Sequence, residues 1–178
     1  MIKTLFKNVL VVVNSSEASI HAVQYGILLA KLYKCNVKVV YVVDTATIKR
    51  LTLTKFLVQE ESEECEKRLI EDGERYLKYA ENIAASKGIK IETQIRKGSV
   101  CAEVVAAANE IESELILLGG FQKAASDSRD VISSSYRQIL LEAHCSVLVV
   151  KEENIECDYQ IINLTTKDFE ENKKVYLD

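Results

Sequence analysis

Three short stretches of this 178-residue chain carry residue types suited to holding an anion. The longest, Leu117 to Val150, reads LLGGFQKAASDSRDVISSSYRQILLEAHCSVLVV: an apolar run, a loop of small and polar residues, a helical pattern and a second apolar run. Gly119 and Gly120 open the loop. Glycine admits positive φ and lets backbone amides approach phosphate oxygens with no Cβ in between. Lys123 adds a cation, and Ser133, Ser134 and Ser135 stand at the start of the helical pattern, where first-turn amides lack partners and favour negative charge. The other two stretches are Asn14-Ser15-Ser16 and Val42-Val43-Asp44, each closing an apolar run. These residue types suit non-covalent binding of a phosphate-bearing ligand, while the leading reading is a loop that retains the fold's shape without one.

Residues for covalent or metal chemistry are sparse. Ser15 and Ser16 would need an adjacent base to act as nucleophiles, and the strand ends offer no Ser/His/Asp set, so they read as helix caps. His21 and His144 have no second ligand at metal spacing, and no metal site is expected. The five cysteines are odd in number and contain no CxxC pair, which suggests neither a disulfide framework nor a zinc site. Cys35, Cys101 and Cys145 flank core elements and read as small hydrophobes. Cys65 and Cys157 are the candidates for redox sensing.

The elements that must position these residues follow from periodicity. VLVVV at 9–13 is β-branched and uninterrupted, the mark of a strand buried on both faces of a parallel sheet. Val23, Ile27 and Ala30 recur at helical spacing, so a helix follows. VKVVYVV at 37–43 is a second strand. Residues 44–59, with Lys49, Arg50 and Lys55, read as a connection, the least ordered part of the core. Ile48 to Val58 within it also reads as a lid, a partner site or the first turns of the next helix. From Glu60 to Lys87 the stripe Leu69, Gly73, Tyr76, Ala80, Ile83 predicts one long amphipathic helix capped at Gly88. IKIETQI at 89–95 alternates as an edge strand does. A third helix at 99–111, a strand at 115–118, a helix at 134–143 and a strand at 145–150 complete the order. Strict β-α alternation of this kind predicts a doubly wound, five-stranded parallel α/β sheet with right-handed crossovers. Ligands of such sheets sit beyond the carboxyl ends of the strands, where all three polar stretches fall, together with Gly98 and Ser99.

Composition narrows the function classes. The net charge of −4 belongs to residues 151–178, which hold four lysines and eight acidic residues, so the first 150 residues balance 19 cations with 19 anions. That balance predicts no nucleic-acid partner. The apolar run after the N-terminal lysines is too short for an export signal, and no segment reaches membrane-spanning length. A cytoplasmic protein without a membrane partner is expected.

Residues 6–151 resemble the universal stress protein family. The likeness lies in NVLVVVNSSEASIHAVQYGILLAK, the strand ending YVVD, RKGSVCAEVVAAA, and LILLGG through AHCSVLVV. The resemblance implies a flavodoxin-like or Rossmann-like sandwich of the adenine nucleotide alpha hydrolase type, and a homodimer paired through the last strand, Cys145 to Val150. Nucleotide-binding members are similar to one another in a G-x2-G-x9-G-[ST] pattern after strand four and an Asp closing strand one. With Ser133-Ser134 at the final G-[ST], Lys123 takes the second glycine position and Gly120 the first. With Gly119 first, Gln122 takes the second and the loop gains one residue. Either register keeps one of three glycines. Asn14 stands at the Asp position, and Val42 matches a position whose backbone meets adenine in the family.

Replacing Asp by Asn exchanges a charged acceptor for a neutral one, about half as strong. A non-glycine residue in the left-handed region costs roughly 1 to 2 kcal/mol, small beside the ~8 kcal/mol of micromolar binding. Lys123 and the serines offset part of the loss. The expectation is a regulator or binding module in stress response, without catalysis. The alternative is an ATP-binding, slowly hydrolysing switch that holds ATP or another adenine nucleotide with its associated Mg at Asn14, Val42, Gly119, Gly120, Lys123, Ser133, Ser134 and Ser135. Residues 152–178 form a polar acidic extension, either packed or disordered, and an unknown protein partner remains open.

Overall fold

The computed structural model describes residues 5–120 and 134–151, and, in the C-terminal extension, Ile155 and Tyr159. Expectations for Lys123, Ser133, Cys157 and most of the extension lie outside the described residues.

The order is β1 (Asn8–Val13), α1 (Glu17–Tyr33), β2 (Asn36–Val43), α2 (Thr45–Leu53), α3 (Gln59–Ser86), β3 (Glu92–Lys97), α4 (Val100–Glu110), β4 (Leu115–Gly119), α5 (Ser134–Glu142) and β5 (Ser146–Val150). The strands form one parallel sheet in the order β3-β2-β1-β4-β5, the doubly wound α/β arrangement. Central β1 explains the unbroken VLVVV run. Val9, Val11 and Val13 pack with α1 and α3 on one face, while Leu10 and Val12 pack with α4 and α5 on the other. Each side chain so buried contributes roughly 1.5 to 3 kcal/mol.

Ser16 caps α1, its hydroxyl accepting from the Ser19 amide at 3.3 Å. On α3, Gly73 belongs to the buried stripe because a Cβ there would stand 2.6 Å from the Tyr41 ring. Gly88 (φ 69°) closes α3 as predicted, and the Ile89 amide donates to the Ala84 carbonyl at 3.0 Å.

Two expectations need correction. Residues 44–59 are not a mere connection: Thr45–Leu53 is a helix of its own. Asp44 starts it, one carboxylate oxygen accepting from the Thr47 amide at 3.0 Å and the other from the Thr47 hydroxyl at 2.7 Å. A turn with Lys55 at φ 60° separates it from α3. The edge strand is displaced as well, since its ladder runs from Glu92 to Lys97 rather than from Ile89. The Ile89 amide is taken by the α3 cap, and Ile89 and Ile91 pack against the α1/α3 cluster instead.

In the extension, Ile155 and Tyr159 are both buried. The Tyr159 hydroxyl donates to the Ile83 carbonyl and lies 3.3 Å from Ser86 Oγ, while Lys87 Nζ stands 4.5 Å above its ring.

Candidate functional site

Between β1 and β4 the winding reverses. The chain leaves β1 toward β2 and leaves β4 toward β5, so the loops at their carboxyl ends diverge and open a crevice. Asn14 to Ser16 line one side, and Gly119 and Gly120 the other.

Asn14 is exposed, yet both ends of its side-chain amide have partners within the protein. Oδ1 accepts from the Ser16 amide at 2.9 Å and the Ser16 hydroxyl at 2.5 Å, while Nδ2 donates to the Tyr136 hydroxyl at 3.1 Å. The Asn14 carbonyl accepts from the Ser19 hydroxyl at 2.8 Å. Ser15 is held by two more tyrosines: its hydroxyl lies 3.2 Å from the Tyr41 hydroxyl, and its carbonyl accepts from Tyr76 at 3.1 Å. An Asn at position 14 both accepts and donates, and here it ties β1, the first turn of α1 and α5 together. Burial pushes the Tyr136 phenol above its ordinary pKa, so it stays a neutral partner.

The two retained glycines have reasons in packing. A Cβ on Gly119 would come within 2.6 Å of the Ala18 carbonyl and the Ser19 amide in the first turn of α1. A Cβ on Gly120 would overlap the Val150 carbonyl oxygen at the end of β5. The fold itself needs both, with or without a phosphate. Ser134 and Ser135 open α5, one exposed and one half-buried, directly before Tyr136. Val42 is half-buried near the end of β2, beside Arg96 of β3.

Arg96 anchors the neighbouring loop. Its guanidinium donates to Glu103 at 2.8 Å and to both Glu110 oxygens at 2.8 and 3.0 Å. The hydrogen bond to Glu110 chiefly raises the Arg96 pKa, and the same bond lowers that of Glu110. Gly98, at φ 154°, donates to the Val43 carbonyl at 3.1 Å, and a Cβ there would meet the Glu103 carboxylate at 2.7 Å. The pair fixes Gly98 and Ser99 at the rim without facing a ligand.

Catalytic groups are not assembled among the described rim residues. His21 is half-buried on α1 and His144 is exposed before β5. Asp44 is occupied as the α2 cap. Among the described residues, no three His, Cys, Asp or Glu side chains come together to hold a metal. Buried Cys101 donates to Glu142 at 3.5 Å, and burial first, then that carboxylate, pushes its thiol up to about 11. It is inert as a nucleophile near neutrality. Among the described rim residues, the groups left for a ligand are backbone atoms and the hydroxyls of Ser134 and Ser135.

Sequence reasoning missed Tyr136, Tyr41 and Tyr76 as parts of this site. Tyr136 is 122 positions from Asn14; its only local signal is a hydroxyl placed one turn into a helix that starts at the rim.

The universal stress protein family matches residues 5–151. A universal stress protein of Methanocaldococcus jannaschii is 29% identical over 150 residues, covering 84% of this chain and 85% of the relative. Among solved structures, a universal stress protein of Lactobacillus plantarum superposes with a TM-score of 0.65 at 21% identity, over 82% of this chain and 97% of its own. A universal stress protein from Archaeoglobus fulgidus in complex with dAMP gives 0.58 at 17% identity, over 83% and 99%. A universal stress protein solved in complex with cAMP gives 0.59 at 17%, over 82% and 97%.

Proposed function

We propose that this chain, which belongs to the universal stress protein family, is a cytoplasmic regulatory binding module of the stress response and carries out no catalysis. The observation that carries the reading is Asn14: both polar ends of its side chain are engaged within the protein, so it offers neither charge nor a base to a reacting group. Incubation of the full-length protein with MgATP, followed by phosphate release over hours, tests it. No release above buffer is expected, and turnover abolished by Asn14→Ala would overturn the reading.

A homodimer paired through β5 accompanies this proposal. Val147, Leu148 and Val149 are only half-buried on an edge strand with an open ladder, which a second copy would cover.

The crevice favours a second reading, an adenine-nucleotide switch. Two structural neighbours were solved with cAMP and dAMP, and in this chain the carboxyl end of the sheet carries Gly120, Ser134, Ser135 and the Val42 backbone. Backbone amides and serine hydroxyls would hold the phosphate. Titration calorimetry with cAMP, dAMP and ATP tests this, and heat weakened by Ser134→Ala/Ser135→Ala is expected. Absence of heat up to millimolar nucleotide would remove it.

A further inference from the structure

The corner where α2 meets α3 exposes an apolar group that the fold does not use. Leu53, Phe56 and Val58 are 84%, 80% and 60% exposed. Lys49, Arg50 and Lys55 precede or interrupt them and are exposed. None of these three cations forms an ion pair among the described residues. Glu60, Glu61, Glu63 and Glu64 follow on the first turns of α3, also exposed. The turn between is held in shape: the Phe56 and Leu57 amides both donate to the Leu51 carbonyl, at 2.9 and 3.3 Å, and the Val58 amide donates to Glu61 at 3.2 Å. Phe56 is therefore presented by a formed turn, and docking it requires little further ordering.

We propose that this corner is a contact surface between two copies of the chain. Along the chain, cations precede and interrupt the apolar residues and carboxylates follow them, a charge order that can complement itself after a half rotation, as an isologous interface demands. Lys49, Arg50 and Lys55 of each copy face the glutamates of the other, while Phe56 and Leu53 meet at the axis. The charges decide against other occupants. Glu64 pairs with Arg68 and Glu61 holds the Val58 amide, but an anionic membrane or an acidic peptide drawn to the three cations would still meet Glu60 and Glu63 in the same corner. A purely apolar partner would leave both sets unmatched. Three apolar side chains are far fewer than the roughly 20–30 residues per side of a standard interface, so the association is weak and concentration-dependent. It is separate from β5, which lies at the other end of the sheet from the β2 and β3 strands that α3 covers.

Sedimentation velocity of the full-length chain tests the proposal. Average mass is expected to rise reversibly between about 10 and about 500 µM, the range a weak contact occupies, above whatever unit exists at the low end. Phe56→Asp, a surface change, is expected to weaken that rise at least tenfold with the circular dichroism spectrum unchanged. A variant carrying Lys49→Glu, Arg50→Glu and Lys55→Glu, and another carrying Glu60→Lys and Glu63→Lys, should each lose the rise alone and regain it when mixed. Mass independent of concentration, indifference to Phe56→Asp, or failure of the mixture to associate would each overturn the proposal. Binding to phosphatidylglycerol vesicles without self-association would overturn it too.

Discussion

Asn14 donates a hydrogen bond to the hydroxyl of Tyr136 at 3.1 Å, joining the carboxyl end of β1 to the first turn of α5 across the root of the crevice. The same side chain accepts from Ser16, so one amide links the first turn of α1 to that of α5.

Asn14→Ala removes all three of these bonds and is expected to destabilise the protein by about 1 to 3 kcal/mol. Tyr136→Phe removes one and is expected to cost about 1 kcal/mol. Urea unfolding of the single and double variants measures the coupling, and strict additivity would mean that the pair does not act together.

Gly119→Ala places a methyl group against the α1 backbone, and Gly120→Ala places one against Val150. Each is expected to destabilise by about 1 to 3 kcal/mol through overpacking, with no nucleotide present. Thermal unfolding in nucleotide-free buffer reads this directly. Unchanged stability, combined with loss of ligand binding, would reassign the glycines from packing to recognition.

The Cys101 thiol, pushed up from 9.0 to about 11, keeps its proton in the folded state over a window in which the unfolded chain has lost it. The contribution is complete below pH 9 and is lost as pH rises toward 11. Cys101→Ala should flatten the fall of stability across that window, although Cys35, Cys145 and Tyr136 are also raised and keep part of the slope. Unfolding free energies measured from pH 8 to 11 give the comparison.

Tyr159 is buried against α3 although it belongs to the acidic extension. Tyr159→Ala is expected to cost about 3 kcal/mol by emptying that space, and Tyr159→Phe about 1 kcal/mol through the lost hydroxyl. If both variants unfold at the wild-type urea midpoint, the extension contributes nothing to the folded domain.

The sheet was legible because burial on two faces writes itself as an unbroken run: VLVVV and LILL are central strands for that reason. What escaped is equally physical. α2 lacks a sustained apolar stripe, with Ile48 its sole buried residue, and depends on the cap that Asp44 provides. Ile89 reads as strand by alternation, yet its amide serves the preceding helix. At the crevice, Asn14, Gly119 and Gly120 were found from local pattern and loop position. Their partners Tyr136, Ala18 and Val150 were not, since contacts made across the sheet leave no local spacing to read.

The abutment of Gly120 on Val150 sets a steric limit at the carboxyl end of the sheet. These two backbones stand at the ends of adjacent strands, one leading into the rim loop and the other into the segment that ends on Ile83 and Lys87 through Tyr159. With no Cβ on Gly120 the two backbones meet directly, so the ends of β4 and β5 leave no room for a side chain between them.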